Sequence, residues 1–268
     1  MGKFDGVLLA SDFDDTFCPD TVVVPPANLE AVEYFKAQGG VFTIATGRAH
    51  RTFAPQLYQA PVNAPVILSN GGQLYDFERD ELVVDKPLPP TIIPDLLEVL
   101  EHCPQVGVEG YYGDRVYMWN PNHWIDYHLK KARTQAVLCP VEEMPLPWSK
   151  AILENDNEFL LPAQEYIRRR WPERYEAIFS NFHMLEITAK GATKGGMVLE
   201  LAERLGIQRE NLYCVGDNQN DIPMLEVSAI PFAPENCAQE VKDWGVRLLP
   251  SCEKGAIAAL IDILDKHY

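Results

Sequence analysis

Acidic residues crowd two short segments of this sequence, Asp12-x-Asp14-x-Thr16 near its start and Gly216-Asp217-x-x-Asn220-Asp221 near its end. Between them stand Thr46-Gly47-Arg48 and a lysine, Lys194, in the run GATKG. Carboxylates can bind hard cations, attack electrophiles or move protons, while threonine, arginine and lysine can hold the oxygens of an anion. Gathering Asp12, Asp14 and Asp217 in one place has a cost, because two like charges ~4 Å apart repel by roughly 4 kcal/mol at an effective dielectric near 20. Positive charge must compensate. A Mg²⁺ ion, which prefers oxygen ligands and keeps waters for an incoming phosphate, would do so together with the Lys194 ammonium.

Such a meeting needs a scaffold, and the apolar patterning predicts one. VLLAS (7–11) is a continuous apolar run of the kind found in a parallel strand covered on both faces, and it ends in DFDDTF. A helix is predicted from Asn28 to Gln38, with Leu29, Val32 and Phe35 at helical spacing and Gly39-Gly40 as its stop. VFTIAT (41–46) runs into Gly47-Arg48, and PVIL (65–68), read as a third strand, runs into Ser69-Asn70-Gly71-Gly72. Strand, helix, strand implies a right-handed parallel crossover. Beyond Lys190 the alternation resumes with a helix from Gly195 to Leu205, LYCVG (212–216) ending in Asp217, a weaker strand from Ala229 to Phe232, and a closing helix from Gly255 to Lys266. In a doubly wound sheet the carboxyl ends of the strands line one crevice, where segments remote in sequence converge.

The middle of the chain has another texture. After about Val84 prolines cluster (Pro87, Pro89, Pro90, Pro94), and the predicted order becomes αββ-α-β-α-ββ. Its members are a helix to His102, two strands within 106–119 that turn at Gly113-Asp114, a helix from Asn122 to Arg133, a strand from Ala151 to Leu153, a helix from Pro162 to Trp171, and strands Ala177 to Phe179 and His183 to Ile187. That order suits an antiparallel sheet with helices on one face. The expected organisation is therefore a core in two parts, 1–84 and 188–268, with an α+β domain inserted at 85–187.

Composition narrows the function classes. The 268 residues suit one medium domain and a smaller insert at ~150 residues per domain. A hydrophobic fraction of 47% supplies a core and excludes intrinsic disorder. Lys and Arg number 23 against 39 Asp and Glu, a formal charge of −16, which argues against nucleic-acid binding. No apolar run approaches the ~20 residues of a membrane span and no signal-peptide layout opens the sequence, so a cytoplasmic location with no membrane partner is expected. The six cysteines form no Cys-x2-Cys pair and read as buried or idle thiols. Serine-nucleophile, zinc-hydrolase, Walker and dinucleotide motifs are absent.

The four clusters in their order resemble the haloacid dehalogenase superfamily of phosphotransferases, and more narrowly its Cof-like phosphatases. VLLASDFDDTF is similar to the first family motif, Thr46 with Gly47-Arg48 to the second, GATKG to the third and VGDNQNDIPML (215–225) to the fourth. One departure is Asp15, at a position where glycine is common. The resemblance implies a Rossmann-like core with a C2B-type cap, and a Mg²⁺-dependent phosphatase acting on small phosphorylated metabolites, sugar phosphates first, with nucleotides and pyridoxal phosphate also in the class. It implies that Asp12 is the nucleophile and Asp14 the general acid/base, partly neutral because of acidic surroundings. Asp12, Asp217 and the Asp14 carbonyl would hold Mg²⁺. Thr46 and Lys194 would bind phosphoryl oxygens, Gly47, Arg48, Asn70 and Asn220 would contact substrate, and Asn220 and Asp221 would support the metal site or orient Lys194. A monomer or homodimer is expected.

Singly, each of these residues is a common turn or surface residue; their order and their placement at strand and helix ends carry the reading. A phosphotransferase or mutase of the same superfamily and a non-catalytic phosphometabolite-binding protein remain as alternatives. Keeping both Asp12 and Asp14 argues against the latter. His123 and His128 fall about 140° apart on a helix, unsuited to share a metal, and read as ordinary residues of the insert. The Arg168-Arg169-Arg170 run with Arg174 reads as a solvated helix face. Tyr111, Tyr112, Tyr117, Trp119 and Trp124 could form the core of the insert, a lid over substrate, or both.

Overall fold

The computed structural model describes residues 2–19 and 23–268. The elements, in chain order, begin with β1 (Leu8–Ser11), α1 (Pro26–Ala37), β2 (Val41–Ile44), α2 (His50–Phe53), β3 (Val66–Leu68), β4 (Gln73–Asp76) and β5 (Glu81–Asp85). The middle contains α3 (Ile92–His102), β6 (Gly107–Tyr112), β7 (Arg115–Trp119), α4 (His123–Lys131), β8 (Ala136–Leu138), β9 (Lys150–Glu154), α5 (Asn157–Arg170), β10 (Tyr175–Asn181) and β11 (Met184–Ala189). The chain ends with α6 (Lys194–Leu205), β12 (Leu212–Val215), α7 (Ile222–Val227), β13 (Pro231–Pro234), α8 (Gln239–Trp244), β14 (Arg247–Leu249) and α9 (Ala256–His267).

A five-stranded, fully parallel sheet in the order β14-β13-β12-β1-β2 forms the α/β core. Its strands are buried on both faces, as their near-continuous apolar runs require. On one face Phe35 of α1 and Leu260 and Leu264 of α9 pack with Leu9, Phe42 and Val215; on the other Met197, Val198 and Leu201 of α6 and Leu225 of α7 pack with Leu8, Ala10 and Cys214. The chain moves outward from β1 to β2 in one direction and from β12 to β14 in the other. That reversal places the open crevice beside β1 and β12.

PVIL does not extend this sheet. β3 joins β4 and β5 in a separate three-stranded antiparallel sheet, and it meets the end of β2 through an isolated parallel bridge between Ala45 and Ile67 and the bond from the Thr46 N–H to the Ile67 carbonyl. Ser69 and Asn70, both at positive φ, fold the chain back so that β4 returns beside β3 with no crossover helix. β4, β5, β8 and β14 escaped the sequence pattern because they are short, and all but β8 are mixed in polarity.

The inserted segment builds a six-stranded sheet, β10-β11-β9-β6-β7-β8, antiparallel except at the β7–β8 edge. α3 and α5 cover one face through Leu96, Val99, Leu160 and Ile167. α4 does not join them: Ile125 and Leu129 pack with Tyr111 and Ile152 on the opposite face, so the helices are not all on one side. α5 begins at Asn157 and carries Pro162 inside it, where the sequence pattern placed its start. Exposed Arg170 and Arg174 pair with Glu98 and Asp95 of α3, so the basic run binds two helices together at the surface. The six cysteines are unpaired and five of them are buried. Among the described residues no helix is long and apolar enough to cross a membrane.

Close backbone approaches fix the start of α6. Gly71 lies against Thr193, where a Cβ would stand 2.1 Å from the Thr193 carbonyl oxygen, and a Cβ on Gly195 would stand 2.0 Å from that of Pro223. Thr193 caps the helix by accepting the Gly196 N–H. Gly195→Ala must therefore push α6 away from the start of α7, with an expected loss of about 1–3 kcal/mol in urea unfolding; unchanged stability would show that this approach is not tight in solution.

Candidate active site

Parallel register brings the clusters to one edge. Ser11 is level with Ile44 of β2 and with Val215 of β12, so Asp12, Thr46 and Asp217 leave the sheet together. Asp12 continues the ladder through its N–H to the Val215 carbonyl, and the Thr46 N–H donates to Ile67. Lys194, the first residue of α6, reaches in from the side.

Lys194 is 1% exposed and donates to Oδ1 of Asp12 and Oδ1 of Asp221, each at 2.6 Å. The second oxygen of Asp221 accepts the N–H groups of Asp217 and Asn218, forming a capping box that fixes the loop after β12. Asp217 accepts a hydrogen bond from the Thr16 hydroxyl at 2.8 Å, which ties the two acidic segments together. Among the described residues, no donor reaches Oδ2 of Asp12.

One ammonium thus faces three carboxylates, those of Asp12, Asp217 and Asp221, whose oxygens lie within 4.8 Å of one another. Burial raises the Asp12 carboxyl well above the usual carboxylate range; Lys194 pulls it down, and Asp221, Asp217 and Asp14 push it up further. Burial and Asp221 push Asp217 up to about 7. Burial alone would lower Lys194, but Asp12 and Asp221 outweigh it and raise its pKa. The common cause is a buried surplus of negative charge that a divalent cation would neutralise. An all-oxygen donor set with two protonation-prone carboxylates fits a hard divalent ion. Both Asp221 oxygens are already engaged, so Asp12 and Asp217 are the side chains left to hold it.

The carboxylate trio thus includes Asp221, whereas the Asp14 side chain, expected among acidic neighbours, lies elsewhere. Its two oxygens accept Arg48 Nη2 at 2.6 Å and Nε at 2.8 Å in a bidentate pair, and the Arg48 guanidinium lies over the Phe13 ring. Asp15, at the position where glycine is common, has φ +58°, the left-handed region that glycine enters at least cost.

A cleft of about 230 Å³ separates the core from the insert. Asp12, Asp14, Gly47, Arg48, Asp217 and Asn220 line it. Thr46 and Asp221 lie beneath its floor, the Thr46 hydroxyl accepting the Arg48 N–H. Asn70 and Lys194 border a small void behind, shared with Asn220, whose amide donates to Asn70. The Asn70 Nδ2 group is buried with no partner among the described residues.

Apart from Tyr111, which the sequence offered as core, lid or both, sequence reasoning missed the opposite wall. Tyr111, His128, Lys150, Ser180 and Glu186 face the same cleft from the insert. Lys150 is 3% exposed, pairs with Glu186 at 2.8 Å and donates to the main-chain carbonyl of Gly47 at 2.9 Å, a direct bond from insert to core. His128 is no ordinary insert residue, since Nδ1 lies 3.2 Å from Glu109 and 2.9 Å from Glu154. Burial opposes its protonation, but the two carboxylates prevail and push it up to about 10. The available signal was period-two alternation. In VEGYY, KAILE and LEIT the residues Val108, Ala151, Leu153, Leu185 and Ile187 face the helices, so Glu109, Tyr111, Lys150, Glu154 and Glu186 share the other face.

A family profile for haloacid dehalogenase-like hydrolases matches residues 9–261. The chain is 25% identical to the 5-amino-6-(5-phospho-D-ribitylamino)uracil phosphatase YwtE of Bacillus subtilis, covering 96% of this chain and 97% of that one. It is also 25% identical to the pyridoxal phosphate phosphatase YbhA of Escherichia coli, over 88% and 90% of the two chains. The structure of the HAD subclass IIB sugar phosphatase BT4131 matches with a TM-score of 0.84 at 20% identity, covering 97% of this chain and 99% of that one.

The raised Asp217 carboxyl has a signed consequence. Its protonated form is the favoured one in the metal-free fold, so its contribution to stability is present below the usual value of 3.8 and is lost as pH rises through about 7. A divalent ion must displace that proton, so its apparent affinity should fall about tenfold per pH unit below 7. In thermal-shift measurements a divalent cation should raise the melting temperature more at pH 8 than at pH 5.5, and Asp217→Asn should remove most of the difference. Equal gains at both pH values would contradict the assignment.

Proposed function

The chain belongs to the haloacid dehalogenase-like hydrolases, and from that membership we propose a Cof-like, Mg²⁺-dependent phosphomonoester hydrolase that acts on phosphorylated sugars or polyols through an aspartyl-phosphate. The observation that carries this reading is the Lys194 clamp, which holds one oxygen of Asp12 and leaves the other without a donor beside the cleft.

In the proposed sequence the undonated Asp12 oxygen attacks phosphorus, the ester P–O bond breaks, and the departing alkoxide takes a proton from Asp14. Asp14 then accepts a proton from water as that water attacks the phosphoaspartate, which regenerates Asp12 and releases phosphate. Because the resting Asp14 is paired with Arg48, this proton traffic requires the pair to open. Lys194, the Thr46 hydroxyl and the unpaired Asn70 amide are the groups assigned to the phosphoryl oxygens. Asp12, Asp217 and the Asp14 carbonyl would hold Mg²⁺, which when bound offsets charge on the phosphoryl group. Asp221 positions Lys194 and the loop after β12; Gly47, Arg48 and Asn220 complete the core wall of the substrate site.

Residues 85–187 serve as the cap over a core of 1–84 and 188–268. Its wall favours a hydroxylated leaving group: Glu186 and Lys150 are hydrogen-bonding groups at the cleft, and the Ser180 hydroxyl is buried without a partner among the described residues. Two relatives, named for a ribityl phosphate and for sugar phosphates, agree with such a substrate.

Two variants separate the steps. Asp12→Asn should abolish release of p-nitrophenol from p-nitrophenyl phosphate, as should EDTA, with recovery on adding Mg²⁺. Asp14→Ala should still give a burst near one p-nitrophenol per chain, since that leaving group needs no proton, followed by turnover slowed about 10²–10⁴-fold. A burst from Asp12→Asn, or none from a folded Asp14→Ala protein, would overturn these roles.

A further inference from the structure

The insert holds a second group of ionisable side chains that the proposed hydrolysis does not use. Glu109 on β6 is level with Ile152 of β9, and Glu154 is level with Gly107, so the two glutamates are diagonal neighbours on the face opposite α3 and α5. α4 crosses that face and delivers His128 between them. Nδ1 lies 3.2 Å from Oε2 of Glu109 and 2.9 Å from Oε1 of Glu154. Ligand atoms around a tetrahedral ion with bonds of about 2.0–2.1 Å stand about 3.3 Å apart, close to these separations.

The group is incomplete as a set of ion pairs. One imidazole nitrogen carries at most one proton, which two carboxylates must share. Both glutamates are fully buried, yet among the described residues Oε1 of Glu109 and Oε2 of Glu154 have no hydrogen-bond partner. Leaving two such oxygens dry and unpaired is costly, and an imidazolium balances only one of the two charges. A divalent ion in place of the shared proton balances both and can draw in the orphaned oxygens. The hydroxyl of Tyr111 donates to Oε2 of Glu109 at 2.7 Å, orienting that carboxylate as outer partners orient metal ligands.

We propose that Glu109, His128 and Glu154 form a second metal site, within the insert, for a first-row transition ion of the zinc class. One imidazole and two carboxylates suit such an ion better than they suit Mg²⁺, whose preference is for oxygen alone. Three protein ligands would leave a position free, and one of them, His128, borders the cleft. The site is independent of the Asp12–Asp217 centre: the two share no residue.

Zinc is the probe. The full-length Asp217→Asn variant, stripped with chelator and equilibrated with zinc in excess Mg²⁺, should retain about one zinc per chain by elemental analysis after desalting. Adding Glu154→Gln or His128→Asn should weaken zinc binding at least tenfold. Cobalt(II) offered to the unmutated chain in excess Mg²⁺ needs no substitution; it should give a visible band of tetrahedral intensity that zinc then bleaches. Zinc retention that is indifferent to the folded Glu154→Gln and His128→Asn proteins overturns the proposal. So does a lack of zinc uptake together with no cobalt band, which would leave the trio as a buried ion-pair network.

Discussion

A lysine ammonium without access to water cannot stay charged unless carboxylates surround it, and carboxylates in the same dry space cannot stay charged unless cations do. Lys194, Asp12 and Asp221 satisfy that mutual condition, and much of the core is arranged around it. β1 ends where Asp12 must stand, α6 begins at Lys194, and the loop after β12 folds over Asp221 through two main-chain N–H groups. The small residues Gly71 and Gly195 let the neighbouring backbones close on this point. Even so, Asp217 leaves the cluster short of positive charge. A centre of this kind is stable enough to fold but electrostatically unfinished, a suitable condition for one that takes up a cation and a phosphate ester together.

The insert presents the mirror condition. A sheet face that would ordinarily be solvated or apolar carries Glu109, Lys150, Glu154 and Glu186, each nearly or fully removed from water. Lys150 is satisfied by Glu186 and by the Gly47 carbonyl, so part of its coordination belongs to the core. A second contact, from Arg51 of the core to the Asp114 carbonyl at the β6–β7 turn, secures the other side. The cleft is therefore bounded by two walls, each of which depends on charge supplied across it or within it.

The core was the legible part of the sequence because each chemical cluster adjoins an apolar run or a helix start, and such runs have few alternative structures. Asp12, Thr46 and Asp217 could be placed at strand ends for that reason. The partner of each side chain was not legible. Spacing says nothing of whether Asp14 turns toward Asp12 or toward Arg48, and the structure pairs it with the guanidinium. Asp221 was expected to support the metal site or orient Lys194, and its carboxylate completes the Lys194 clamp. The insert was harder still. Alternating charged and apolar residues normally mean one wet face, so VEGYY and KAILE read as ordinary half-exposed strands. Only tertiary structure, with α4 and the core closing over that face, shows that the charges are buried. β3 is a strand where PVIL put it, but its sheet was not legible: an apolar run suits either a parallel sheet or a hairpin, and the positive φ angles of Ser69 and Asn70 decide between them.

The grip of Lys150 on Gly47 falls on a peptide oxygen, an atom that every residue type possesses. Replacement of neighbouring side chains therefore leaves the handle in place for a cation of the insert to grip. Lineages can then remodel one half of such a molecule while the other half keeps its chemistry, a modularity written into the main chain.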